Sequence, residues 1–104
     1  MLTALTAPAF AETWDIEKGD ITVKAGETGN DVTQNNKTTY GDTGTVITGK
    51  SDKNTVTIEA KDEGDKVEVT LKDVNIKADS GSALTSNGDV TLTLKGENHL
   101  TGGN

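Results

Sequence analysis

The sequence predicts an all-β fold, specifically a parallel β-helix (β-solenoid) of about three to four coils. Three observations predict it. Aliphatic residues alternate with polar ones in short runs, turn-forming residues separate those runs, and the runs recur at a nearly constant interval.

Alternation is the first. Ile21-Thr22-Val23, Thr55-Val56-Thr57-Ile58, Val67-Glu68-Val69-Thr70-Leu71 and Val90-Thr91-Leu92-Thr93-Leu94 place an aliphatic residue at every second position. A strand's period of two puts these on one face and the Thr or Glu residues on the other. Val74-Asn75-Ile76 is a shorter example. Gly-Asp, Asn-Gly and Gly-Glu pairs between the runs mark turns. From Trp14 onward no stretch has useful helical periodicity.

Recurrence is the more specific signal. Val23, Ile47, Leu71 and Leu94 are almost evenly spaced, at an interval that suits one coil of a solenoid. Around the last two, Val67, Val69, Leu71, Lys72 and Asn75 map in order onto Val90, Leu92, Leu94, Lys95 and Asn98. The inward residues of such a coil stay uncovered until a neighbouring coil stacks on them. Val23, Ile47, Leu71 and Leu94 are therefore expected to line one interior stack. Asn75 and Asn98 are expected to stack as a turn ladder, and Trp14 to cover the apolar face of the first coil. Residues 26–44 fit worst, with only Val32 and Tyr40 as sizeable apolar groups, and are expected to form an irregular excursion, a long turn or a side hairpin.

Composition narrows the function classes. A hydrophobic content of 31% and a net charge of −7 approach the range of disordered chains. The ordered alternation and the single proline, Pro8, argue for a folded chain, and a narrow interior needs only small aliphatic side chains. All ten basic residues are lysine. Without arginine, and with 3% aromatics, the chain lacks the usual means of binding nucleic acid. Its charge does not draw it to an anionic membrane. No cysteine is present, which excludes disulfides and thiolate metal sites.

Residues 1–11, MLTALTAPAFA, read as the remnant of a signal peptide, with Ala9-Phe10-Ala11 as a small-x-small site and cleavage before Glu12. The mature chain is then exported, with no membrane insertion after cleavage, and residues 12–104 form the N-terminal part of the solenoid domain. Leu100-Thr101-Gly102-Gly103-Asn104 stops on turn formers, so the solenoid is expected to be truncated at its C-terminus and to continue into further coils of the full-length chain.

Two segments carry a family resemblance. Trp14-Asp15-Ile16-Glu17-Lys18-Gly19-Asp20-Ile21-Thr22-Val23 resembles the opening of large exported proteins of gut Firmicutes. Val90-Thr91-Leu92-Thr93-Leu94-Lys95-Gly96-Glu97-Asn98-His99-Leu100-Thr101-Gly102-Gly103 is similar to their strand motif, as are Asn54 to Ile58 and Val69 to Ile76. These are the carbohydrate-binding-domain or right-handed β-helix-repeat proteins. The resemblance implies a right-handed solenoid at the cell surface or secreted, and implies no catalytic residues.

The remaining candidates for chemistry are sparse. His99 is the only histidine and lacks a thiolate or second imidazole to share a metal with. Asp62-Glu63-Gly64-Asp65 offers three carboxylates but not the spacing of a known calcium loop, and reads as a solvated acidic turn, with calcium left open. Lys72 and Lys95 read as solubilising charges. The Thr55/Thr57 and Thr91/Thr93 pairs read as ordinary exposed strand faces. Tyr40 is the candidate ligand contact, since an exposed ring can stack on a sugar. The expected function is a non-catalytic secreted or cell-surface protein, carbohydrate-binding or adhesive, whose partner is a polysaccharide or a host or cell-wall glycan. It needs no cofactor and no metal. The alternatives are the leading part of a polysaccharide lyase or hydrolase whose active site lies elsewhere, and a passive spacer.

Overall fold

The computed structural model describes residues 13–60 and 62–103. The expected signal-peptide remnant therefore lies outside the described residues. Among those residues ten strands and one 3-10 turn follow in order: β1 Thr13–Asp15, the turn Ile16–Lys18, β2 Ile21–Ala25, β3 Asn30–Gln34, β4 Lys37–Asp42, β5 Thr45–Ser51, β6 Val56–Ala60, β7 Val67–Lys77, β8 Leu84–Gly88, β9 Val90–Lys95 and β10 His99–Thr101.

The strands form two five-stranded sheets. In the first, β1, β5 and β7 lie side by side, and both β9 and β10 pair with successive parts of β7; every pairing is parallel. The second has the order β4-β3-β2-β6-β8, antiparallel through the β2–β3–β4 meander and parallel beyond it. Buried side chains of both sheets form one cluster, with Ile21, Val23, Val32, Val56 and Ile58 from the mixed sheet and Ile47, Val67, Val69, Leu71, Val74 and Ile76 from the parallel one. The alternation explains this, because inward Val, Ile and Leu meet across the two sheets while the Thr residues between them face out.

The all-β expectation and this arrangement agree, but the expected parallel β-helix of three to four right-handed coils is corrected. The described residues make two facing sheets, one parallel and one mixed, in a β-sandwich-like arrangement. The common stack fails at one member. Ile47, Leu71 and Leu94 do stand beside one another across β5, β7 and β9, but the residue next to Ile47 on the other side is Trp14. Val23 belongs to the other sheet, between Val32 and Ile58. Its separation from Ile47 matches the repeat without sharing its cause. The residues around 26–44 insert two antiparallel strands that a uniform coil has no place for.

That segment is more regular than its composition suggests. Asn35 and Asn36 both have positive φ, 57° and 63°, and join β3 to β4 with Gln34 opposite Lys37. This is a two-residue turn of the type whose twist suits a hairpin, and asparagine tolerates its left-handed backbone. Val32 is fully buried at the middle of the hairpin.

A second local device sits in β7. Ile47 is opposite Leu71 but Gly49 is opposite Val74, so β7 carries one extra residue at a bulge. The inward set therefore changes from Val67, Val69 and Leu71 to Val74, Ile76 and Ala78. Asp73, at the bulge, has a positive φ of 53°. Its Oδ1 accepts the Glu97 N–H at 3.0 Å.

Candidate ligand groove

Turn 52–55, between β5 and β6, sits beside the 3-10 turn of residues 16–18, and several side chains fasten the two. Ser51 Oγ accepts the backbone N–H groups of Lys53 and Asn54 at 3.2 and 2.9 Å. Asn54 Nδ2 donates to the carbonyls of Ile16 and Glu17 at 2.9 and 3.4 Å, and the Thr55 N–H donates to Asp20 Oδ1 at 2.8 Å. The last three bonds join parts of the chain far apart in sequence, so the turn is held by the 3-10 turn and Asp20 as well as by its own strands.

An open groove of about 660 Å³ lies over this framework, lined by Glu17, Lys50, Ser51, Asp52, Lys53, Asn75 and Lys77. Register explains the convergence. Lys50 on β5 is opposite Asn75 on β7, and Asn75 is opposite His99 on β10. Lys77 follows Asn75 by two positions and so shares its outward face. Neighbouring strands are about 4.8 Å apart, and two positions along a strand add about 6.6 Å, so the backbones bearing Lys50 and Lys77 stand about 8 Å apart. Among the described residues none of Lys50, Lys53 and Lys77 is in an ion pair, whereas Lys24 stands 3.7 Å from Glu59. Every lining side chain among the described residues is polar, and none is aromatic.

The opposite edge of the molecule carries the reverse charge. Asp62, Glu63, Asp65 and Asp89 line a hollow of about 410 Å³ at the turn joining β6 to β7. Asp65 Oδ2 accepts the Asp62 N–H at 3.2 Å and the Asp65 N–H donates to the Asp62 carbonyl at 3.0 Å, which closes the acidic turn on itself. Among the described residues no group of three or more His, Cys, Asp or Glu side chains is arranged to hold a metal.

The residues singled out from the sequence fall in different places. Tyr40 is 76% exposed on β4 and does not line the groove. Trp14 is half-buried against the core, and its Nε1–H donates to Asp42 Oδ2 at 3.1 Å. Asn75 and Asn98 do not form a ladder. Asn75 is beside Lys50 and His99 and lines the groove, whereas Asn98 joins β7 to the end of β9 within the parallel sheet, accepting the Val74 N–H at 2.8 Å and donating to the carbonyls of Leu71 and Lys95. Asn75 is opposite His99 and not Asn98, because the partner segment carries one residue more between Lys95 and His99 than β7 carries between Lys72 and Asn75. Lys72 and Lys95 lie side by side, both exposed, away from the groove. Sequence reasoning does not single out the groove lysines, although one signal is available: Lys53 and Lys77 stand at the same interval as Ile47 and Leu71.

Among the described residues no helix is long and apolar enough to cross a membrane. Comparison with protein-family models, with curated proteins and with solved structures found no match.

Proposed function

We propose that this chain acts outside the cell as a non-catalytic binding protein whose ligand is a polysaccharide. The observation that supports this reading is the groove over turn 52–55, which is open, lined by polar and charged side chains among the described residues, and mounted on a backbone braced by the 3-10 turn and Asp20. Sugars present many hydroxyls and few apolar surfaces. A row of amide, hydroxyl, carboxylate and ammonium groups on a braced backbone can exchange hydrogen bonds with them without the entropic cost of ordering a loop. An open groove also accepts the interior of a long polymer, where an enclosed pocket takes only its end. The fluorescently labelled chain applied to a glycan array tests this. Binding to a defined set of glycans, abolished by the soluble glycan, is expected; an array with no signal above a denatured control overturns the reading.

A further inference from the structure

We propose that the ligand of this groove is an acidic polysaccharide, with Lys50, Lys53 and Lys77 meeting its carboxylate or sulfate groups; the inference rests on the glycan reading above. Three observations carry it. The first is the convergence of three lysines, none in an ion pair among the described residues, which outnumber the two carboxylates of the same lining, Glu17 and Asp52, in a chain with a net charge of −7. Ammonium groups left without a carboxylate partner can form charge-assisted hydrogen bonds with an incoming anion, the stronger kind of polar contact.

The second is the absence of any ring from the groove lining among the described residues. A neutral pyranose in a shallow groove commonly gains affinity by stacking against an aromatic face, and here only hydrogen bonds and charge remain. The same absence, together with the lack of arginine, disfavours nucleic acid, which is held on single-strand binders by base stacking as well as by phosphate contacts. The third is spacing and polarity. The backbones bearing Lys50 and Lys77 stand about 8 Å apart, a separation that two long, flexible side chains can adjust to successive charges on an extended polymer. Asp62, Glu63, Asp65 and Asp89 line a hollow with no cationic side chain among the described residues and repel the same polymer, which leaves the groove, where three lysines face two carboxylates, as the approach.

The test uses two pairs of polymers with the same backbone, one charged and one neutral: dextran sulfate against dextran, and polygalacturonate against its fully methyl-esterified form. Affinity for each is measured by titration calorimetry at low and moderate salt, with a single-stranded oligonucleotide as a further arm. Tight, salt-sensitive binding to one or both acidic polymers is expected, with the neutral partners at least about tenfold weaker. The double variant Lys50→Gln/Lys77→Gln should lose about tenfold in affinity, while Lys66→Gln, outside the groove, should keep it. Circular dichroism confirms that each variant is folded. Which acidic polymer binds separates sulfate from carboxylate recognition. Equal binding of charged and neutral partners overturns the acidic inference and leaves the glycan reading standing. Equal binding of the oligonucleotide overturns it in favour of a general polyanion site. Undiminished binding by the double variant removes the ligand from this groove. No binding to any polymer, with an empty glycan array, overturns both readings.

Discussion

The two ends of the sheets are finished differently. At the β4 end the hairpin Asn35–Asn36 carries two further strands past β2, and Trp14 on β1 packs against the core. A buried polar chain joins them: Asn30 Nδ2 donates to Thr45 Oγ1 at 2.9 Å and to the Glu68 carbonyl at 3.0 Å, Thr45 Oγ1 donates to Asp42 Oδ2 at 2.7 Å, and Trp14 donates to the same carboxylate oxygen. No buried side-chain polar atom among the described residues lacks a partner. At the other end β8, β9 and β10 form the last row, and among the described residues no strand lies beyond them. Leu92, Leu94 and Leu100 are 37%, 63% and 41% exposed, although Leu94 belongs to the same row as the fully buried Leu71 and Ile47. The same alternating pattern is thus core in one strand and surface in the next. Position in the stack decides burial, and a repeat in sequence does not report it.

This difference can be broken or sharpened by substitution. The largest effect is expected within the row shared by both regions: Leu71→Ala should cost about 2–5 kcal/mol, because the site sits between two strands and cannot collapse. Leu94→Ala, at the exposed position of that row, should cost less than about 1 kcal/mol. Urea denaturation of the two variants measures both, and equal losses would show that the β9 edge is covered in solution. Next comes Asn30→Ala, which leaves the Glu68 carbonyl and its neighbours in the buried chain short of a donor. A loss of about 2–3 kcal/mol is expected at the closed end from the same urea curves. The smallest effect is expected for Leu94→Lys, within about 0.5 kcal/mol of the parent, together with less association at high concentration in sedimentation velocity, since a charge on an edge strand opposes edge pairing.

How much of this is legible in the sequence varies by element. The alternating runs mark β2, β6, β7 and β9 and their inward faces, because a period of two survives any tertiary arrangement. The regular interval correctly aligns Ile47 with Leu71, but Val23 shows its limit, since spacing carries no information about which sheet a strand joins. The hairpin is written in Gln34-Asn35-Asn36-Lys37, yet its flanking Thr and Asp residues look like a loop when apolar content is the guide. The bulge at Lys72-Asp73 is illegible for a simpler reason. One inserted residue reverses the inward set, and nothing in Val69-Thr70-Leu71-Lys72-Asp73-Val74-Asn75-Ile76 marks where it falls except the two aliphatic phases it separates. The groove suffers from both effects. Lys50, Asn75 and Lys77 become neighbours only through the register that the bulge resets, and Tyr40, chosen for its ring, belongs to a different surface.

The parallel ladders also set how the chain must search for its fold. Thr13 finds Val46, Ile21 finds Val56 and Val67 finds Val90, each pair joined by a long intervening stretch of chain. Apart from the β2–β3–β4 meander, no pairing among the described residues is local, so each ladder requires a long loop to close before its first hydrogen bond offsets the lost chain entropy. Refolding should accordingly run on the millisecond-to-second scale typical of non-local β topologies, with the meander as the one part able to form early. Stopped-flow fluorescence of Trp14, which reports the meeting of β1 with distant β5, reads that rate directly.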